Sequence, residues 1–128
     1  MDALIKSEID KYEALLPMNT SVSFTEAEKR AASFLLIAAH ITNWRYELSQ
    51  HKIKLLSVQT AVYAEQLFKG TSKTMTENKV SAEASLDYMK AREDLEMIEN
   101  DLAYLKAYYE VFNNAHIFYR GMARGISV

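Results

Sequence analysis

The sequence predicts an all-α protein: a long antiparallel helical hairpin, coiled-coil-like, preceded by a short N-terminal helix. Three observations carry this. From Ala84 to Tyr119 the chain repeats apolar residues at alternating steps of four and three, through Tyr88, Ala91, Leu95, Ile98, Leu102, Leu105, Tyr109 and Phe112, with His116 the single strongly polar member. That is the seam of a helix built to pack on another helix. A matching seam precedes Gly70: Ile37, Ile41, Trp44, Leu48, His51, Leu55, Val58, Val62 and Glu65. The chain holds only three Gly and one Pro in 128 residues, which fits long helices joined by few turns.

Residues 1–16 open the chain. Ile5, Ile9, Tyr12 and Leu16 share one face, while Lys6, Glu8, Asp10, Lys11 and Glu13 take the other. This is a short amphipathic helix, ended by Pro17 because the residue before proline is pushed out of the helical region. Residues 17–24 are polar and form a linker. Ser23 with Glu26, or Thr25 with Glu28, supplies a capping box for the next helix. That long helix is expected over residues 25–69, with Gly70 as a left-handed C-cap. Residues 70–76 form the loop. Thr74 and Glu77 make a further capping box, and a second long helix runs over residues 77–120. A single helical domain is expected over residues 1–128.

With the loop centred near residue 73, Leu55 faces Ala91, Leu48 faces Ile98, Trp44 faces Leu102, Ile41 faces Leu105 and Ile37 faces Tyr109. The acidic run Glu93, Asp94, Glu96, Glu99 and Asp101 then lies alongside Arg45, His51, Lys52 and Lys54. Exposed pairs of this kind are each worth about 0.5 kcal/mol and select register more than they stabilise.

The end of the hairpin away from the loop carries more apolar surface than one partner helix covers. Residues 31–41 are apolar nearly all round, and the last helix gains a second stripe there. The first helix covers part of it. The remainder predicts a homo-oligomer, because large apolar patches seldom stay exposed on monomers. The expected interface residues are Phe34, Leu35, Ile41, Tyr104, Tyr108, Val111, Phe118 and Met122.

The composition argues against an enzyme. The absence of Cys removes thiolate metal sites, disulfides and Cys nucleophiles, and suits a reducing cytoplasm. His40, His51 and His116 form no metal-ligand spacing. No Gly-rich phosphate loop exists, and no two carboxylates converge on a shared pocket. No catalytic residue, metal or cofactor is expected. The longest apolar run, residues 31–39, is too short to span a bilayer.

A formal charge of −2 provides no global attraction to nucleic acid, so any such binding must come from local patches. Two exist. The loop end holds Lys52, Lys54, Lys69, Lys73 and Lys79, diluted by Glu65, Glu77 and Glu83. The C-terminal end holds Lys106, Arg120 and Arg124 among aromatic residues that include Tyr108, with Lys29 and Arg30 alongside. Arginines and lysines with aromatic rings can hold a single strand, since bases stack on the rings and phosphates pair with the cations.

The order of features resembles the phage recombination mediator proteins of the UvsY type. The stretches "HKIKLLSVQTAVYAEQLFKG" (residues 51–70) and "AREDLEMIENDLAYLKAYYEVFNNAHIFYRG" (residues 91–121) carry most of the likeness. The resemblance implies a non-enzymatic protein that assembles into ring-like homo-oligomers and binds single-stranded DNA. It also implies partners: a RecA-type recombinase to be loaded, and a single-strand binding protein that covers the strand. The expected location is then the bacterial host cytoplasm. This chain departs from the family just before the aromatic-x-Gly turn, Phe68-Lys69-Gly70: Val62 and Ala64 stand where the family has basic residues, with Glu65 beside them. An alternative reading remains, an oligomeric structural or adaptor protein, such as a phage assembly factor or inhibitor, that acts through helix–helix contacts without nucleic acid.

Overall fold

The structure is a computed structural model that describes residues 1–16, 22–70 and 74–125. Each of the four helices among the described residues begins on a side chain that accepts a hydrogen bond from an otherwise unpaired backbone amide. Asp2 accepts from Leu4 N–H at 2.7 Å and starts α1, Ala3–Glu13. Ser23 accepts from Glu26 N–H at 3.1 Å and starts α2, Phe24–Phe68. Thr74 accepts from Glu77 N–H at 3.2 Å and starts α3, Met75–Glu83. Ser85 accepts from Tyr88 N–H at 3.2 Å and starts α4, Leu86–Ala123. Ser23 and Thr74 cap as their capping boxes predict. Pro17 lies outside the described residues, and α1 already ends at Glu13.

Ser85 corrects the expected second long helix. The stretch over residues 77–120 is two helices, not one, because Ala84 and Ser85 form a turn between α3 and α4. The Ser85 hydroxyl satisfies an amide at the start of a new helix, which an unbroken helix would have bonded through a carbonyl. Ala84, the first residue of the predicted seam, is accordingly exposed and outside α4.

Gly70 is also corrected. It does not adopt a positive φ; among the described residues that conformation belongs to Gly125, at 70°. A Cβ on Gly70 would lie 2.5 Å from Oδ1 and 3.0 Å from Cβ of Asn78. The glycine therefore lets α3 approach the end of α2, and its value is space and not backbone freedom.

α2 and α4 pack on each other in antiparallel fashion, so the all-α hairpin stands. The chain forms two units. The first comprises Met1–Tyr46 and Ala103–Val128. Its core is a stack of rings: Phe34 lies 5.8 Å from Phe112 and 5.9 Å from Tyr119, near parallel to both. Ile9, Ile37, Ile41 and Leu105 are fully buried, as are Ala27 and Ala115. Each large apolar residue contributes about 1.5–3 kcal/mol by leaving water. α1 covers part of the second stripe of α4, with the Tyr12 ring edge-on to Phe112 at 6.4 Å.

The second unit comprises Glu47–Leu102. Its buried residues are smaller and fewer: Ala82, Ala91, Leu95 and Ile98. Tyr63 meets Tyr88 at 5.4 Å.

Contacts between α2 and α4 around Phe34 keep the predicted register, whereas Arg45, over the Tyr109 ring that the prediction set opposite Ile37, and Lys52 run past it. Phe34 meets Phe112, and His116 Nδ1 lies 2.8 Å from the Ala31 carbonyl, which requires that nitrogen to carry the proton. In the second unit Lys52 meets Glu99 at 3.7 Å, where the prediction placed Asp94. The separate α3 lengthens the connection and moves its centre along the chain. Other acids of the predicted ladder pair within α4 instead, Asp94 with Lys90 at 2.7 Å and Glu96 with Arg92 at 3.1 Å.

Candidate nucleic-acid interface

The second unit carries the lysines expected at the loop end. Two have carboxylate partners. Lys69, exposed at the end of α2, bonds Glu65 at 2.8 Å, and that bond raises the ammonium pKa and lowers the carboxyl pKa. Lys52 is half-buried against Glu99. A paired lysine presents little net field to a phosphate. Lys54 and Lys79 are exposed and form no ion pair among the described residues. Lys73 lies outside the described residues.

The first unit places Arg120 and Arg124 one turn apart near the end of α4. Both are exposed, and neither forms an ion pair among the described residues. With Ala123 they line a shallow recess of about 270 Å³ whose α2 side is Glu28 and Ala31. Arg30 is engaged elsewhere: its Nε donates to Glu26 at 3.2 Å, its Nη1 donates to the Tyr119 hydroxyl at 3.1 Å, and the guanidinium lies 5.5 Å above the Tyr119 ring. Arg30 therefore anchors the ring stack and is spent on structure. Arg45 likewise lies 5.9 Å over the Tyr109 ring.

Tyr108 is not an open stacking platform. Its ring lies 4.7 Å from Tyr104 and 5.7 Å from Phe112, beneath the C-terminal end of α1. Burial first, and then its hydrogen bond to the Glu13 carboxylate, pushes the phenol up to about 12 from 10.0. Tyr104 is raised as well, chiefly by burial. The sign follows: the folded state holds the Tyr108 proton more tightly, so its contribution is complete below the ordinary phenol pKa and is lost as pH rises through about 12. A tyrosinate absorbance titration should show one phenol ionising last, near pH 12. Tyr108→Phe should remove that step, and Glu13→Gln should move it down. An unchanged curve in Tyr108→Phe would show that the phenol ionises with the others.

The expected interface residues divide in the same way. Phe34 and Ile41 are wholly buried within the chain, so they belong to its own core and cannot reach a second subunit. Tyr104 and Tyr108 are half-buried near α1, and Phe118 and Met122 are half-buried. Leu35 and Val111 remain open, at 51% and 41% exposure.

Sequence reasoning missed the outer face of α2. Leu36, Tyr46, Ile53 and Leu56 are all exposed there, and Ile53 and Leu56 line a groove of about 520 Å³ with Ser57, Thr60, Ala61 and Ala64. The signal was a sparse seven-residue spacing of Ala39, Tyr46 and Ile53, with the polar Asn43 and Gln50 between them, and the stronger inward seam masked it. Among the described residues no three His, Cys, Asp or Glu side chains converge as a metal site, and no helix is long and apolar enough to cross a membrane. No family model matches the chain, and no curated protein or solved structure matches it.

Proposed function

We propose that the protein is a non-enzymatic single-stranded DNA-binding protein that acts as a recombination mediator, assisting the loading of a RecA-type recombinase. The observation that carries this reading is the pair Arg120 and Arg124. They are exposed, one turn apart at the end of α4, and neither forms an ion pair among the described residues; Arg120 lies within one of the two stretches that carry the UvsY-type resemblance. Arginines so placed can bridge successive phosphates of a flexible strand. Lys54 and Lys79 supply further exposed charge in the second unit. Several weak patches become strong when copies are joined, because each later contact is intramolecular.

The test is binding of a fluorescent single-stranded oligonucleotide over a salt series. Affinity should fall steeply with salt. Arg120→Gln/Arg124→Gln should weaken binding at low salt and flatten the logarithmic salt slope by about 1.4, from two lost phosphate contacts at roughly 0.7 each. A double variant with the wild-type slope would remove Arg120 and Arg124 from the interface. Absence of binding at low salt would overturn the reading.

A second reading is favoured by the exposed outer face of α2, which contains large apolar residues and no charge over most of its length. Such a face suits a structural or adaptor protein working through helix–helix contacts.

A further inference from the structure

The turn at Ala84 and Ser85 builds a recess that an unbroken helix would lack. It lies within the second unit and has a volume of about 200 Å³, lined by Gln59, Thr60 and Tyr63 of α2, Glu83 of α3 and Tyr88 of α4. Glu83 and Tyr88 are five residues apart, which in one continuous helix would set them roughly 140° apart around the axis. The turn between α3 and α4 lets both line the same opening as Tyr63.

The charge around this recess has one sign. Glu83 is exposed and forms no ion pair among the described residues. It is the last residue of α3, and the last turn of that helix has no basic residue. The helix dipole puts partial negative charge at this end, so the carboxylate stands where the helix itself disfavours it. Tyr63 and Tyr88 add aromatic rings, whose faces are negative. Thr60 spends its hydroxyl proton on the Leu56 carbonyl at 3.0 Å, and its oxygen keeps the capacity to accept. Among the described residues, none that lines the recess is Lys or Arg. Lys79 stands one turn before Glu83 on α3 and is not part of the lining.

We propose that this recess binds an alkylated ammonium group, of the kind carried by choline or by a methylated lysine side chain. Ring faces hold such a cation by cation–π attraction, and a carboxylate holds it by charge. The ring geometry separates this ligand from a nucleobase. The Tyr63 and Tyr88 centroids lie 5.4 Å apart with the planes inclined at 53°. Rings in contact and inclined leave no parallel slot for a flat base, whereas a rounded cation packs on inclined faces. A phosphate would meet Glu83 and the negative end of α3. The inference therefore stands apart from DNA binding, whose candidate arginines belong to the first unit.

NMR titration of the full chain at constant ionic strength tests it. The probes are choline, trimethyllysine amide and the neutral isostere of choline in which carbon replaces the charged nitrogen. Choline should shift the Tyr63 and Tyr88 ring signals saturably and leave those of Tyr12 and Tyr46 in place. The isostere keeps the shape and loses the charge, so it should bind at least about tenfold more weakly. Glu83→Gln should weaken choline binding at least about threefold. Tyr63→Leu should weaken it about two- to fivefold. Glu83 is exposed, so helicity by circular dichroism should be unchanged in Glu83→Gln, and that variant decides the matter even if Tyr63→Leu loosens the unit. Tighter binding of choline than of trimethyllysine amide would assign a free small molecule, and the reverse a side chain of a protein partner; both outcomes support the site. Shifts that do not saturate, an isostere that binds as tightly as choline, or unchanged affinity in Glu83→Gln would each overturn the proposal.

Discussion

Leu105→Asp should unfold the first unit. Leu105 is fully buried on the α4 seam, in the core that holds Ile37 and Ile41. The substitution loses about 1.5–3 kcal/mol of apolar burial. It also leaves a carboxylate with no partner in an apolar interior, which adds several kcal/mol or forces the group to take up a proton. The sum, on the order of 5 kcal/mol, is comparable with the whole stability of a small domain. Thermal unfolding followed by circular dichroism should show a melting point lowered by tens of degrees or no cooperative transition at all. Leu48→Asp is the informative control. Leu48 sits on the predicted seam of α2, but it is half-buried and lines an open groove beside His51 and Leu55. A carboxylate there can turn to water, so the loss should be well under half as large. Equal effects at the two sites would mean that the seam is uniformly sealed.

Phe112→Ala should be the most damaging truncation. The ring touches Phe34, Tyr12 and Tyr108, so it joins α1, α2 and α4. Large-to-small changes at such positions cost about 3–5 kcal/mol, because the lost contacts are compounded by an incompletely collapsed cavity. Denaturant unfolding should show the midpoint falling with little change in slope. A second readout separates local from global loss. If α1 loses its seat, water reaches Tyr108 and its phenol should titrate closer to its ordinary value than to about 12. A stable variant with an unshifted Tyr108 would mean that α1 is held by Ile9 and not by the ring cluster.

Helix type and seam membership were legible because they are local. The spacing of Ala91, Leu95, Ile98, Leu105, Phe112 and Tyr119 named the buried face of α4, and all six are buried. Ser23 and Thr74 were legible as caps for the same reason: the bonded atoms lie three residues apart. The break at Ser85 was not read, because an apolar repeat on either side masks a single hydroxyl. The electrostatic state of each candidate cation was not readable either. Lys52 and Lys54 look alike in sequence, yet Glu99 reaches only the first.

The sequence by itself determined an all-α chain, two long seamed helices, their antiparallel pairing and the presence of exposed basic residues. Periodicity dictates which face of a helix avoids water, and that needs no knowledge of the partner. Tertiary structure alone decided which apolar residues were consumed. Phe34 and Ile41 went into the core, Tyr108 was half-buried beside Glu13, and Arg30 was tied to Tyr119, while Leu36, Tyr46 and Ile53 were left outside. The physical reason is that burial and pairing depend on distances between residues far apart in the chain, and those distances exist only after the helices have packed.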